Sequence, residues 1–142
     1  FFTYCFMSTI FINLPVVDVQ QSIAFYKALW FSQNLDFSNE SWACMVRSET
    51  IYVMLLAHDF YATFLPAHKK IADSKGTSAV LNALQLESKE AVDTLFDKAI
   101  WAWGKQTIPP YDHWFMYGKD FEDIDGHIWE VFWMDASQAP QE

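Results

Sequence analysis

The sequence predicts an α+β protein in which one strand–helix–three-strand unit occurs twice. Three observations carry that expectation. Two segments, offset by 70 residues, share a strand, a helix cap and an amphipathic helix. Each helix is followed by short apolar strand candidates separated by turn residues. Near the end, Asp125-Gly126 stands between two apolar runs, a strong hairpin signal because Gly accepts the positive φ of a tight turn. Internal duplication is therefore the organising feature of the chain.

Taken in order, Met7-Ser8-Thr9-Ile10 reads as the natural start, with the first six residues an upstream extension. Residues 10–17 form a strand. Asp18, with Gln21 three residues on, is capping-box chemistry, and Val19, Ile23, Tyr26 and Leu29/Trp30 recur at helical spacing. Strand candidates follow at 35–39, 42–48 and 50–57. Residues 59–76 hold a short helical stretch (Phe60, Phe64, Leu65) and a polar link, Asp73-Ser74-Lys75-Gly76. The pattern then repeats. Residues 79–86 form a strand, and Ser88 is an N-cap with Glu90 favoured in the first turn. Ala91, Val92, Leu95, Phe96 and Ala99 line a helix face, and strands are expected at 105–108, 115–121 and 127–134. The modules span 7–58 and 77–135, joined by 59–76 within one domain overall.

Composition narrows the functional classes. The chain is 52% hydrophobic and 18% aromatic, well above what a disordered chain carries. Nine Lys and Arg oppose eighteen Asp and Glu, and Arg47 is the only arginine. That balance excludes the basic footprint of a nucleic-acid binder. No apolar run reaches the ~18 residues of a membrane span. The opening Phe1-Phe2-Thr3-Tyr4-Cys5-Phe6 lacks the basic region of a signal peptide, so the expected compartment is the cytoplasm. Cys5 and Cys44 form no disulfide framework and no metal-ligand spacing.

The last strand carries the first candidate for a site. Period-two alternation puts His127, Trp129, Val131 and Trp133 on one face, with Ile128, Glu130, Phe132 and Met134 on the other. A carboxylate among such neighbours is paired, protonated or in contact with a ligand.

Two motifs resemble a known family. Asn13-Leu14-Pro15-Val16, Asp18-Val19, Ser22-Ile23 and Phe25-Tyr26 resemble the start of glyoxalase/bleomycin-resistance/dioxygenase proteins. Phe121-Glu122-Asp123-Ile124-Asp125-Gly126-His127-Ile128-Trp129-Glu130 resembles their closing motif. This is the vicinal oxygen chelate superfamily, and the likeness runs from Thr9 to Asp135. It implies two βαβββ modules whose strands curl into a mixed, cup-like sheet with helices on the convex side, commonly as a homodimer. It also implies a divalent metal held by up to four side chains, one from each of four strands, that stabilises charge developing on a chelated substrate. Those positions fall on Phe11, Leu55, Leu81 and Glu130. Only Glu130 is a donor, and the neighbours Ile12, Met54, Leu56 and Val80 are no better, with Asn82 a weak carbonyl ligand. The expected cofactor is therefore none, although His58, His113 and His127 are donors outside the pattern. Relatives place Gly after each helix, whereas this chain has Trp30 and Trp103. In a left-handed cap, Trp costs about 1–2 kcal/mol, so either the turn differs or the indole packs.

The leading functional expectation is a binding protein for a small aromatic or cationic ligand. Its site is expected to draw on Phe11, Asn13, Trp42, Leu55, Tyr111, His113, Trp114, Phe115, Tyr117 and Glu130, through stacking and cation–π attraction. The alternative is a glyoxalase-like lyase or isomerase with Glu130 as general base or metal ligand. An extradiol dioxygenase, which needs two His and a carboxylate around iron, ranks lower. A third reading is a non-catalytic structural or interaction dimer using Trp101, Trp103 and Trp133. The partners expected are a small molecule and a second copy of the chain, with neither nucleic acid nor membrane.

Overall fold

The computed structural model describes residues 7–138, which divide between Ile71 and Ala72 into two compact units. The break falls inside the stretch read as a linker. The proposed upstream extension, with Cys5, lies outside the described residues.

The first unit holds β1 (Ile10–Val16), α1 (Val19–Ala28), β2 (Ser32–Asn34), β3 (Trp42–Val46), β4 (Ile51–Ala57) and the short α2 (His58–Ala62). Its sheet runs β1-β4-β3-β2, with β1 and β4 parallel and the other pairs antiparallel. Asp18 caps α1 as expected, accepting from the Gln21 amide at 3.1 Å. The strand expected at 35–39 is a correction: β2 ends at Asn34 and a 3₁₀ turn covers Leu35–Phe37. The Asn34 side chain accepts from the Asp36 amide at 3.1 Å, and this local bond offers the backbone an alternative to the ladder. Leu14, Val16, Ala43, Met45, Val53 and Leu55 are buried on one face of the sheet and form the core with Ile23, Tyr26 and Leu29 of α1.

The second unit holds β5 (Asn82–Gln85), α3 (Lys89–Trp101), β6 (Lys105–Gln106), β7 (Tyr111–His113), β8 (Met116–Glu122) and β9 (Ile128–Met134). Its sheet runs β5-β9-β8-β6, with β7 also on β8 and β5 parallel to β9. Ser88 caps α3 by accepting from the Ala91 amide at 3.0 Å. The aromatic stretch at 111–115, which lies largely between the strands expected at 105–108 and 115–121, holds a further strand, β7, and a tight turn into β8. Both β6 and β7 pair with the same edge of β8, at opposite ends. Between them, Ile108-Pro109-Pro110 is not part of either strand, since proline has no N–H to give the ladder.

The Asp125-Gly126 turn closes the β8–β9 hairpin as expected, with Gly126 at φ 93°. Asp123 braces it by accepting from the amides of Asp125 and His127, both at 2.9 Å. The link at 73–76 packs on this turn, since Ser74 Oγ donates to the Asp125 carbonyl at 2.6 Å.

Both major helices end in the same way. Trp30 and Trp103 have φ of 67° and 81°. The Phe31 amide reaches the Tyr26 carbonyl at 3.1 Å, and that of Gly104 reaches Ala99 at 2.8 Å. These are Schellman caps with tryptophan at the left-handed position. The turn therefore does not differ from a glycine cap. Nor does burial compensate at Trp103, which is 83% exposed. Among the described residues, no helix is long and apolar enough to cross a membrane.

Candidate functional site

Glu130 gains an unexpected neighbour from strand pairing. Across the β8–β9 ladder, Asp120 lies directly opposite Glu130, with Gly118 opposite Phe132 and Met116 opposite Met134. Residues facing each other across an antiparallel pair share a sheet face, with Cβ atoms about 5 Å apart. On the other strand face, Phe121 and Trp129 are buried against α3. The two carboxylates therefore sit together on the face turned away from α3.

Asp120 is 4% exposed, and its Oδ1 has no hydrogen-bond partner. Burial, and then the charge of Glu130, push its carboxyl up to about 6. Tyr111 completes this group. It pairs with Gly118, and a Cβ added there would stand 2.2 Å from the Tyr111 Cζ and Oη. Glycine thus makes room for the ring to lie across β8. Burial and the charges of Asp120 and Glu130 raise the Tyr111 hydroxyl above its ordinary value, which places the phenol within electrostatic reach of both acids. His113 follows on the same face, its ring 6.4 Å from Tyr111 and stacked at 6.1 Å on Phe115. Trp114 occupies the tip of the turn, exposed and edge-on to Phe115 at 5.1 Å.

Tyr117 does not join them. Its hydroxyl donates to Asp93 on α3 at 2.5 Å, and Lys119 closes on the same carboxylate at 2.8 Å. Those two bonds, Lys119 foremost, hold the Asp93 carboxyl below its usual value, and Asp93 in turn raises Lys119. Lys89 lies over the Tyr117 and Trp133 rings at 5.7 and 5.5 Å and pairs with Asp112 at 3.6 Å. This charged cluster belongs to the α3 side of the sheet, so the expectation that Tyr117 shares a site with Glu130 is corrected.

In the first unit, Phe11 stacks on Tyr52 at 4.4 Å and Trp42 on Phe60 at 4.5 Å. The Asn13 amide donates to the Phe11 carbonyl at 3.3 Å. Pairing puts Phe11 opposite Tyr52, Asn13 opposite Met54 and Trp42 opposite Leu56, so these residues share the face away from α1. Leu55 is corrected: it is fully buried on the α1 side, opposite Leu14 and Ala43. The position that shares the face of Phe11 and Asn13 is Met54, one residue earlier.

Among the described residues, no three His, Cys, Asp or Glu side chains come close enough to hold a metal ion. The carboxylates of Asp120 and Glu130 fall short of the three protein donors that a divalent site ordinarily uses. This donor set does not fit the family's metal. Asp120 is the residue that sequence reasoning missed. Its signal was the hairpin register, which needs the length of the Asp125-Gly126 loop.

Neither protein-family models nor curated protein sequences give a match to this chain. Solved structures do. The hypothetical protein SA1046 from S. aureus superposes with a TM-score of 0.72 at 26% identity, over 92% of this chain and 96% of that one. A glyoxalase/bleomycin resistance protein/dioxygenase family enzyme from Burkholderia phytofirmans gives 0.71 at 19% identity, over 88% and 97%. A glyoxalase-related enzyme from Fulvimarina pelagi gives 0.72 at 17%, over 90% and 88%. The chain has the α+β fold of the glyoxalase/bleomycin-resistance/dioxygenase proteins, in agreement with the family resemblance of its two motifs.

Proposed function

We propose that this glyoxalase/bleomycin-resistance-like protein binds a small aromatic or cationic ligand without the family metal, on the face of the second sheet that carries Glu130. The observation that supports this most is the buried Asp120 opposite Glu130, beside the Tyr111 ring. Two acids facing each other repel and lose hydration, and a ligand that brings positive charge or donors relieves both costs. Tyr111, His113 and Phe132 supply flat apolar surface next to them.

The test is a thermal-shift screen against aromatic cations and glutathione conjugates, together with metal analysis of the purified chain. Binding to the native state raises the melting temperature, by an amount that grows with the logarithm of ligand concentration above Kd. At least one aromatic compound is expected to do so in the wild type and to fail with Glu130→Gln. One tightly held divalent ion per chain would overturn the metal-free reading.

A second reading rests on Asp120 itself. A carboxyl near 6 is suited to general acid–base work at neutral pH. In a glyoxalase-like lyase or isomerase, Glu130 and Asp120 would pass a proton between neighbouring carbons. Turnover of a 2-oxoaldehyde–thiol adduct, lost in both Glu130→Gln and Asp120→Asn, would place this reading first.

A further inference from the structure

We infer that the row Thr107–Asp120–Glu130 is a receptor for an N–H-bearing organic cation, a primary ammonium or an amidinium, carried on a flat apolar group. This rests on the ligand-binding reading above and names the polar end of that ligand.

Pairing builds the row. The β6–β8 ladder matches Lys105 with Glu122 and Gln106 with Phe121. It continues one step further, because the Thr107 amide donates to the Asp120 carbonyl at 3.3 Å. Thr107 therefore lies across from Asp120 on one side, as Glu130 does on the other. Three oxygen-bearing side chains line up across three adjacent strands, on the face away from α3.

Two of the three carry an unmet need. Thr107 Oγ1 and Asp120 Oδ1 are both buried and both lack a hydrogen-bond partner. Buried polar atoms are nearly always paired, so two orphans in neighbouring positions point to a missing donor shared between them. Among the described residues, no side chain donates to either atom. Lys119, next to Asp120 in sequence, is on the opposite face with Asp93. Lys105 sits a row away, opposite Glu122, and forms no ion pair among the described residues. The remaining groups facing the row from the packed strands are Tyr111 and His113, together with the amide of Gln85 on β5.

The chemistry of the oxygens then selects the ligand. Carboxylates call for positive charge, and an orphan acceptor calls for a hydrogen to accept. A quaternary ammonium meets the first need and not the second. An ammonium or amidinium meets both, and the Tyr111 ring beside Gly118 offers its apolar part a wall.

The experiment uses the full chain and four probes at pH 8, by titration calorimetry: benzylammonium, benzamidinium, benzyltrimethylammonium and benzyl alcohol. The two N–H cations are expected to bind at least tenfold more tightly than the other two. Asp120→Asn is expected to remove that advantage, and the milder Thr107→Val to reduce it a few-fold. Lowering the pH from 8 to 5 should weaken benzylammonium binding in the wild type, because a proton competes for Asp120. That weakening should shrink in Asp120→Asn, leaving only what Glu130 and His113 contribute. Equal binding of benzyltrimethylammonium or benzyl alcohol overturns the inference while leaving a ligand site in place. Stabilisation by millimolar magnesium or calcium in place of the amines overturns it as well. Failure of all four probes overturns the inference, and the reading beneath it falls only if the wider thermal-shift screen also finds no ligand.

Discussion

Lys119 and Asp120 are consecutive residues on one strand, and they live in opposite electrostatic worlds. Lys119 points toward α3, where Asp93 meets it at 2.8 Å and Tyr117 donates to the same carboxylate. Every charge in that cluster has a partner of opposite sign. Asp120 points the other way, toward Glu130, without an ion pair to any lysine among the described residues, and its carboxyl rises to about 6. The difference does not come from the residues, since either side of a sheet can bury or expose charge. It comes from the neighbours each face provides: α3 delivers a complementary carboxylate to Lys119, whereas the cross-strand neighbour of Asp120 is another acid, Glu130.

The largest expected effect tests the unpaired side. With its carboxyl raised in the folded state, Asp120 favours folding while protonated, and that contribution is lost as pH climbs from about 4 through about 6. At about 1.4 kcal/mol per tenfold change in proton affinity, ionised Asp120 costs the fold up to about 3 kcal/mol. Asp120→Asn should stabilise the protein by up to about 3 kcal/mol at pH 8 and leave it unchanged near pH 4, as read from urea midpoints. Parallel pH curves for the two proteins would contradict the comparison.

Glu130→Gln comes next. Burial is the larger cause of the Asp120 shift and Glu130 the smaller, so this variant should bring the Asp120 titration only part of the way back toward 4. Carbon-detected NMR of the carboxyl would show it, and a complete return would mean that burial has been overrated.

The paired side should respond in the opposite sense to acid. Asp93 is held low, so the stability it adds is present above pH ~4 and lost below it. Tyr117→Phe removes one hydrogen bond to that carboxylate and should cost about 1 kcal/mol at pH 7. The loss should shrink as pH falls below 4, when wild type and variant converge.

The smallest effect lies at the end of α3. Trp103 takes a left-handed cap that suits glycine and leaves its indole largely in solvent. Trp103→Gly should relieve about 1 kcal/mol or more of strain while increasing the freedom of the unfolded chain, for a net gain of about 0.5 kcal/mol. A loss of stability would mean that the indole makes a favourable contact.

Much of this was legible in residues alone. Asp18 and Ser88 announced both helices, alternation in β9 set Glu130 apart from Trp129 and Val131, and Asp125-Gly126 marked the final hairpin. The misreadings share one cause. Leu55 was placed one residue from the position that shares a face with Phe11, and Tyr117 was assigned to the wrong side of β8. In a strand, a single step reverses the face. Asp120 escaped for a related reason. A two-residue turn at Asp125-Gly126 would have set Phe121 opposite Glu130, whereas the actual loop is closed by Asp123 and His127 and brings Asp120 there instead.

By itself, the sequence determined the duplicated units, their caps and the solitary carboxylate of the last strand, because these depend on contacts between residues a few positions apart. Only the tertiary structure decided which side chains meet across strands. That choice turns on loop length and register, and it made Glu130 half of a pair.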